Sequence, residues 1–541
     1  MGICFRKEHN MRAPMNAGII ASSSLSKSAR TENIRDKYEF IKVVGYGQFG
    51  TVREARLKIH NGSQECEKIF AIKSICKGRV VRLISCLRNE IEILMLVDHP
   101  NIIKLYEAYE DTKYIHLVME MCTGGDILEF LLAKGSLSEE EIAKIMHKML
   151  AAVNHLHSLH ICHRDLKPEN FLLESHDEHA ELRLIDFGMS IKYGEDLMYS
   201  LVGTPYYQAP DIFKGIYGDE CDVWSLGVIL YFLLSGKQPF KSANISELHE
   251  RINRGIYSFS DIKWKTISPE AKHLIRRMLT VDPKKRISIK AALSHPWFKI
   301  KNQPSGILIS QDIFKSIKRF KAPSKLWQEL MTIFVRNISQ ENTENLKLAF
   351  QDIDVNKVGF VTAQDIANAM RRCGYKILSD EISNLIEKID YLGNGRLNYT
   401  QFLIAAVDRK QLIDDECVWS IFKHFDITGN GKIKVEDLKF TLEKAGCFTS
   451  NEEINEIIEE FKLRGEDGMD YEKLREIMMC FSEEYTEVNT ESDFAFDGSP
   501  HRRLSLQRLA IRKRTFFNKN QNNVSHENIE LTLPNTKTYS L

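Results

Sequence analysis

The chain has 541 residues, 43% of them hydrophobic and 27% charged, with 74 Lys and Arg balancing 74 Asp and Glu. That length outgrows a single hydrophobic core, so about two to four domains are expected, and zero net charge excludes a global field drawing the chain to nucleic acid or membrane. The 11 cysteines include no CxxC pair and no signal-like leader is present, which points to reduced thiols in an intracellular compartment.

In chain order, residues 1–37 hold the run Ser22-Ser23-Ser24-Leu25-Ser26 with little apolar periodicity and read as disordered. Gly2 after the initiator Met, with Cys4 and Arg6-Lys7 close by, offers a myristoylation and a palmitoylation signal, although Arg6 stands where Ser or Thr is preferred. Strand-like segments then come first, at Phe40–Val44, Val52–Leu57 and Ile69–Ile75, and helical periodicity follows, as in Glu139–Ser158 and Cys221–Ser235. A small sheet-rich part followed by a helical part is an α+β layout in two lobes, spanning 38–298. The longest apolar run, Leu226–Leu234, is about half a membrane span and reads as a buried core helix.

In the junction 299–342, Ile313, Ile317 and Phe320 share a helical face, with Lys315, Lys318 and Arg319 elsewhere. Pro323 starts a second amphipathic stretch through Leu326, Leu330, Ile333 and Phe334. Residues 343–481 repeat: Asp354, Asp390 and Asp426 lie 36 apart, as do Gly359, Gly395 and Gly431, which demands a repeated supersecondary unit. In the tail 482–541, residues 482–497 carry six acids and no Lys or Arg, whereas 501–520 carry seven Lys or Arg and no acid. The tail reads as disordered, and Arg502-Arg503-Leu504-Ser505 reads as a basophilic phosphorylation site.

The chemistry is concentrated in His163-Arg164-Asp165-Leu166-Lys167-Pro168-Glu169-Asn170 and Asp186-Phe187-Gly188. Asp165 is suited to accept a hydroxyl proton, and Asn170 and Asp186 to hold Mg²⁺ against ATP phosphates. Upstream, Val44 leads into Gly45-Tyr46-Gly47-Gln48-Phe49-Gly50-Thr51-Val52, where missing Cβ atoms let backbone approach phosphate oxygens. A lone GxGxxG is shared with dinucleotide folds; Ala71-Ile72-Lys73 on the following strand decides between them. Lys73 is expected to hold the α and β phosphates and to pair with Glu90, with Glu92 as the alternative, about 200° away on a helix.

This block resembles a eukaryotic serine/threonine protein kinase. The resemblance implies Met119 as gatekeeper, Glu120 and Cys122 as hinge contacts to adenine, and Asp126 at the ribose. Lys167 and Gly203-Thr204-Pro205 resemble the Ser/Thr branch, Met189 a preference for Ser, and Glu169 a reader of basic residues upstream of the acceptor. Asp222 and Trp224 resemble the helix that anchors the catalytic loop. The usual Ala-Pro-Glu is Ala209-Pro210-Asp211, a methylene short of its expected partner Arg286, which is expected to loosen the substrate platform. His155, His157, His160 and His163 follow helix and loop positions of such a core and read as structural, not as a metal site.

The repeats resemble EF-hands, and the whole order resembles a calcium-dependent protein kinase of plants and protists. The fold class implied is an α+β two-lobed protein kinase fold followed by an all-α EF-hand domain with two paired lobes. A Ca²⁺ loop needs oxygen ligands at positions 1, 3, 5, 7 and 9, Gly at 6 and a bidentate Glu at 12. Loop one offers Asp354, Asn356, Thr362 and Asp365, but Val358 takes a ligand position; loop two has Leu392 and ends in Gln401. Loop three is best, with Asp426, Thr428, Asn430, the Lys432 carbonyl and Asp437, opposed by Lys434; loop four, around Lys462–Lys473, has lost its ligands. None ends in Glu, so weak Ca²⁺ binding, chiefly at loop three, is expected, with Asp at position twelve tilting the site toward Mg²⁺.

The leading expectation is a monomeric, cytoplasmic Ser/Thr kinase using Mg²⁺ and ATP on proteins with basic residues upstream of the acceptor. Acylation is its route to membrane surfaces. The junction helix is its autoinhibitor, lying near Glu169 until Ca²⁺ on the EF-hands withdraws it. The alternatives are a kinase whose EF-hands are calcium-insensitive scaffold, and a non-catalytic Ca²⁺-responsive binding protein.

Overall fold

The computed structural model describes residues 33–46, 50–58, 69–79, 84–177, 180–194, 198–200, 202–242, 244–301, 313–314, 316–317, 331, 335, 340–374, 390, 394–407, 415–426, 429–444 and 468–483. The acylation residues Gly2 and Cys4, the junction residues Lys315, Lys318, Arg319 and Phe320, the 462–467 part of loop four and the tail beyond residue 483 lie outside them.

A turn of helix, α1 (Ile34–Lys37), opens the described chain, with Asn33 capping it by accepting from the Arg35 N–H. The sequence reading places these residues in a disordered segment. Ile34 instead packs with Tyr38, Phe70, Tyr109 and Val118, and burying such a side chain contributes about 1.5–3 kcal/mol. Strands β1 (Tyr38–Tyr46), β2 (Gly50–Leu57), β3 (Ile69–Cys76), β4 (Leu105–Glu110) and β5 (Tyr114–Glu120) form an antiparallel sheet in the order β1-β2-β3-β5-β4. Helix α2 (Ile84–Leu96) lies between β3 and β4 in sequence and buries Leu87, Ile91, Ile93 and Leu94.

The helical lobe follows α3 (Ile127–Lys134), started by an Asp126–Glu129 capping box and stopped by Gly135 at φ 74°. Helix α4 (Glu139–Ser158) starts on a Ser138–Glu141 box and buries Ile142, Met146, Met149, Leu150 and Val153 at helical spacing. Helix α5 (Pro210–Lys214) precedes α6 (Glu220–Ser235), which is apolar on all sides because it is enclosed on all sides. Two short antiparallel pairs, Ile161–Cys162 with Ile191–Lys192 and Phe171–Leu173 with Leu182–Leu184, brace the loops between them.

The C-terminal part is helix–loop–strand–helix units. Helices Gln340–Ile353 and Ala363–Arg372 flank loop one, and strand Phe360–Thr362 pairs antiparallel with Arg396–Asn398 of loop two, Val361 opposite Leu397. Helix Tyr399–Ala406 leaves loop two, and Phe350, Tyr399 and Phe402 meet across the pair. Helices Asp415–Phe425 and Val435–Lys444 flank loop three, and Ile433 bridges to Met469 ahead of helix Tyr471–Glu483. In the junction, Ile313, Phe314 and Ile317 are helical and buried. Among the described residues, no helix is long and apolar enough to cross a membrane.

Candidate active site and calcium loops

Between the sheet and the helical lobe, the β1–β2 hairpin leaves Val44 exposed and sets Gly45 opposite Val52. Gly50 is obligatory for packing, since a Cβ there would lie 2.0 Å from the Ser74 carbonyl oxygen. Gly47, named in the sequence reading, lies outside the described residues. Ala71 is buried opposite Met119 on β5. Lys73, two residues on, donates to Glu90 of α2 at 2.7 Å, so Glu90 and not Glu92 faces it. Burial opposes the charge on Lys73, but Glu90 and Asp186 outweigh it and hold the ammonium above its ordinary value.

On the hinge side, the Glu120 N–H donates to the Lys104 carbonyl, and the Glu120 carboxylate receives Arg183 at 2.8 Å. Burial and the Glu120 charge push the Cys122 thiol well up, so it stays protonated. Asp126, expected at a ribose, spends Oδ1 on capping α3 through the Leu128 and Glu129 N–H groups, both at 2.8 Å.

The loop 163–170 is positioned from below. Buried Asp222 on α6 accepts the His163 and Arg164 N–H groups, both at 2.9 Å, and His157 at 2.9 Å. These bonds hold Arg164 at φ 68°, and Asp186 sits at φ 63°, two non-glycine residues in the left-handed region. Asp165 is held on both oxygens: Oδ2 takes Lys167 at 2.8 Å, and Oδ1 takes the Thr204 N–H and hydroxyl at 2.8 and 2.7 Å. Asn170 donates to the Asp165 carbonyl at 2.8 Å and its own carbonyl takes the Ile185 N–H at 2.9 Å. The first bond fixes the Asn170 side-chain amide, and the second ties its backbone to the segment that delivers Asp186. Phe187 is fully buried under the His163 ring, 5.3 Å away, which fixes the segment after Asp186. The carboxylate of Asp186 and amide oxygen of Asn170 suit a hard divalent cation, and the ammonium beside Asp186 suits phosphate.

The pairing expected to be loose is tight. Asp211 is not too short for Arg286: the guanidinium meets Oδ1 at 2.5 Å and Oδ2 at 3.4 Å, both side chains being at most 2% exposed. The shorter acid reaches because Arg286 is also anchored on the Thr280 and Glu220 carbonyls and stacked over Trp224. The four histidines do not converge: His155 turns to loop one, His157 to Asp222, His160 to Tyr193 and His163 to the Ile185 carbonyl.

In loop one, Asp354 accepts the Val358 and Gly359 N–H groups at 3.1 and 2.7 Å, and Asp365 accepts the Thr362 N–H and hydroxyl. Asn356 presents its carbonyl to Asn154. In loop two, Asp390 holds the Gly395 N–H, and Gln401 closes on Asn398 as a neutral capping box. In loop three, Asp426 accepts from the Asn430 and Gly431 N–H groups, and the Lys432 N–H donates to the Asn430 side chain. Thr428 lies outside the described residues. Asp437 takes the Lys434 N–H, and burial together with the Asp426 charge pushes its carboxyl upward. A cation shared with Asp426 is what would relieve the raised Asp437 carboxyl.

Comparison with known proteins agrees with this geometry. The protein kinase domain family matches residues 38–298, and the EF-hand domain pair family matches residues 343–407. Calcium-dependent protein kinase 33 of Arabidopsis thaliana is 35% identical over 449 residues, 83% of this chain and 85% of the relative. Calcium-dependent protein kinase 21 of the same plant is 36% identical, covering 83% of each chain, and calcium-dependent protein kinase 3 of Plasmodium berghei is 34% identical, covering 83% and 81%. The fold and the site thus define a protein kinase joined to EF-hands. The chain belongs to the calcium-dependent protein kinase family.

The sequence reading missed the residues that join the two parts. Asp98, Arg183 and Glu181 on the kinase and Lys347, Tyr399 and Thr400 in the repeats carry no motif, and only the fold brings them near one another.

Proposed function

We propose that the protein is a serine/threonine protein kinase that moves the γ-phosphoryl of ATP to protein hydroxyls and is regulated by Ca²⁺ through its EF-hands. The supporting observation is the joint placement of Lys73, Glu90, Asp165, Asn170 and Asp186 between the lobes. Lys73 holds the α and β phosphates and Glu90 keeps its ammonium aimed. Asn170 and Asp186 would hold Mg²⁺, which when bound would neutralise charge on the phosphates. Asp165 orients the acceptor hydroxyl and takes its proton, while Lys167 and Thr204 fix the carboxylate. Glu169, exposed beside this loop, selects substrates with basic residues upstream of the acceptor, and Met189 favours Ser.

Of the EF-hands, loop three carries the Ca²⁺ response, through Asp426, Asn430 and Asp437, and the junction around Ile313–Ile317 passes it to the substrate cleft. The chain acts as a monomer and reaches membrane surfaces through acylation at Gly2. Phosphorylation of a basic Ser peptide, with Ca²⁺ and with chelator, tests this reading. Activity only with Ca²⁺ is expected. Equal activity in both favours scaffold-like EF-hands, for which Val358, Leu392 and Gln401 at ligand positions speak. Absence of activity in both would mean a non-catalytic protein.

A further inference from the structure

We propose that the first EF-hand loop serves as a docking loop in place of an ion site, its backbone carbonyls seated on Asn154 and His155 of the kinase. This deepens the regulatory reading above and rests on it, because it divides the work among the loops: loop one attaches, loop three senses.

The contact is built from directional bonds. Asn154 Nδ2 donates to the Asn356 and Lys357 carbonyls at 3.2 and 2.7 Å. His155 Nδ1 meets the Val358 carbonyl at 2.8 Å, while its Nε2 accepts the Asp98 N–H at 3.3 Å. Only the neutral, Nδ1-protonated ring satisfies both partners. Burial supplies that state, pushing His155 down to about 4.

The loop itself is shaped for this seat. Gly359 has φ +75°, and a Cβ on it would stand 2.3 Å from His155 Nδ1. The turn and the close approach to the kinase therefore both demand glycine there. Val358 brings a carbonyl to His155 and no side-chain oxygen to an ion. Lys357, at φ 53°, folds its ammonium inward to the Gln351 carbonyl. Asp354 accepts the Val358 and Gly359 N–H groups, as Asp426 accepts those of Asn430 and Gly431 in loop three, and so holds the turn that carries these carbonyls.

Loop two joins the same attachment. The Thr400 N–H and hydroxyl both donate to Asp98, at 2.8 and 3.0 Å, and Lys104 donates to Asp98 and to Thr400. Asp98 thus links the two seats, since its N–H serves His155 and its carboxylate serves Thr400. The helix entering loop one adds Lys347, 3.3 Å from Glu181.

Full-length protein tests the proposal. Asn154→Ala and Thr400→Val each remove kinase-to-loop bonds and leave every acidic loop residue in place. Amide hydrogen exchange of residues 354–362 should quicken about tenfold in either variant, with the number of Ca²⁺ ions bound in calorimetric titration unchanged. Asp354→Asn should also leave that number unchanged, whereas Asp426→Asn should lower it by one. Loss of one Ca²⁺ in Asp354→Asn, or unaltered exchange in both docking variants, overturns the docking role. Phosphorylation by the wild-type chain, measured alongside, keeps failure of the kinase reading separate, because exchange and ion counting do not require turnover.

Discussion

At Lys73 a half-buried ammonium keeps its charge because Glu90 and Asp186 outweigh its burial. Glu90→Gln keeps the shape and removes one charge, so kcat/KM for ATP should fall about 10- to 100-fold, ~1.4–2.7 kcal/mol of transition-state stabilisation. Steady-state kinetics across ATP concentrations checks it. His157 and Asp222 form a second buried pair, beneath the catalytic loop. Burial disfavours charge on each, but each partner outweighs it: His157 rises above 6.5 and Asp222 falls below 3.8. The His157 contribution to stability is complete below 6.5 and is lost as pH rises through its raised folded value. The Asp222 contribution is complete above 3.8 and is lost as pH falls through its lowered one. Denaturant unfolding of wild type and His157→Gln should therefore differ most between those two values, with the gap narrowing on either side.

At the scale of elements, anchors decide where the candidate catalytic groups stand. Helix α6 carries Asp222 to the His163 and Arg164 N–H groups and Trp224 beneath the Arg286 guanidinium. Arg286 in turn fixes Asp211 on α5. Arg286→Ala would leave a buried carboxylate unpaired, so it should cost about 3–5 kcal/mol in denaturant unfolding. The catalytic strings were legible in the sequence because phosphoryl transfer needs particular residue types at nearly fixed local spacing, and Lys73, Asp165, Asn170 and Asp186 lie on short segments. The Asp211–Arg286 distance was not legible. A missing methylene reads as a gap until the three-dimensional support of Arg286 is known. Helix α1 escaped for a similar reason, since four residues carry no periodicity and Ile34 is ordered by a sheet formed later in the chain.

At the scale of the whole molecule, the EF-hand part and the kinase meet through single polar side chains distant in sequence: Asp98 with Thr400, Asn154 with Lys357, Glu107 with His424. No pattern in either segment announces such pairs, because each residue alone belongs to no motif. What the sequence does show is unequal ion chemistry among the loops. His424 lies in the helix that runs directly into Asp426, so an ion bound in loop three would act on an element that already touches the kinase. Asp437→Asn should weaken Ca²⁺ binding about tenfold or more and shift the Ca²⁺ dependence of peptide phosphorylation to correspondingly higher concentration. Parallel calorimetric and kinetic titrations check this.

The central claim, phosphoryl transfer by a cleft that joins Lys73, Asp165, Asn170 and Asp186, is tested most directly by γ-labelled ATP. Full-length protein with Mg²⁺, Ca²⁺ and a serine peptide bearing upstream arginines should label the peptide, and Asp186→Ala should label none. Near-equal labelling by the two proteins would contradict the account.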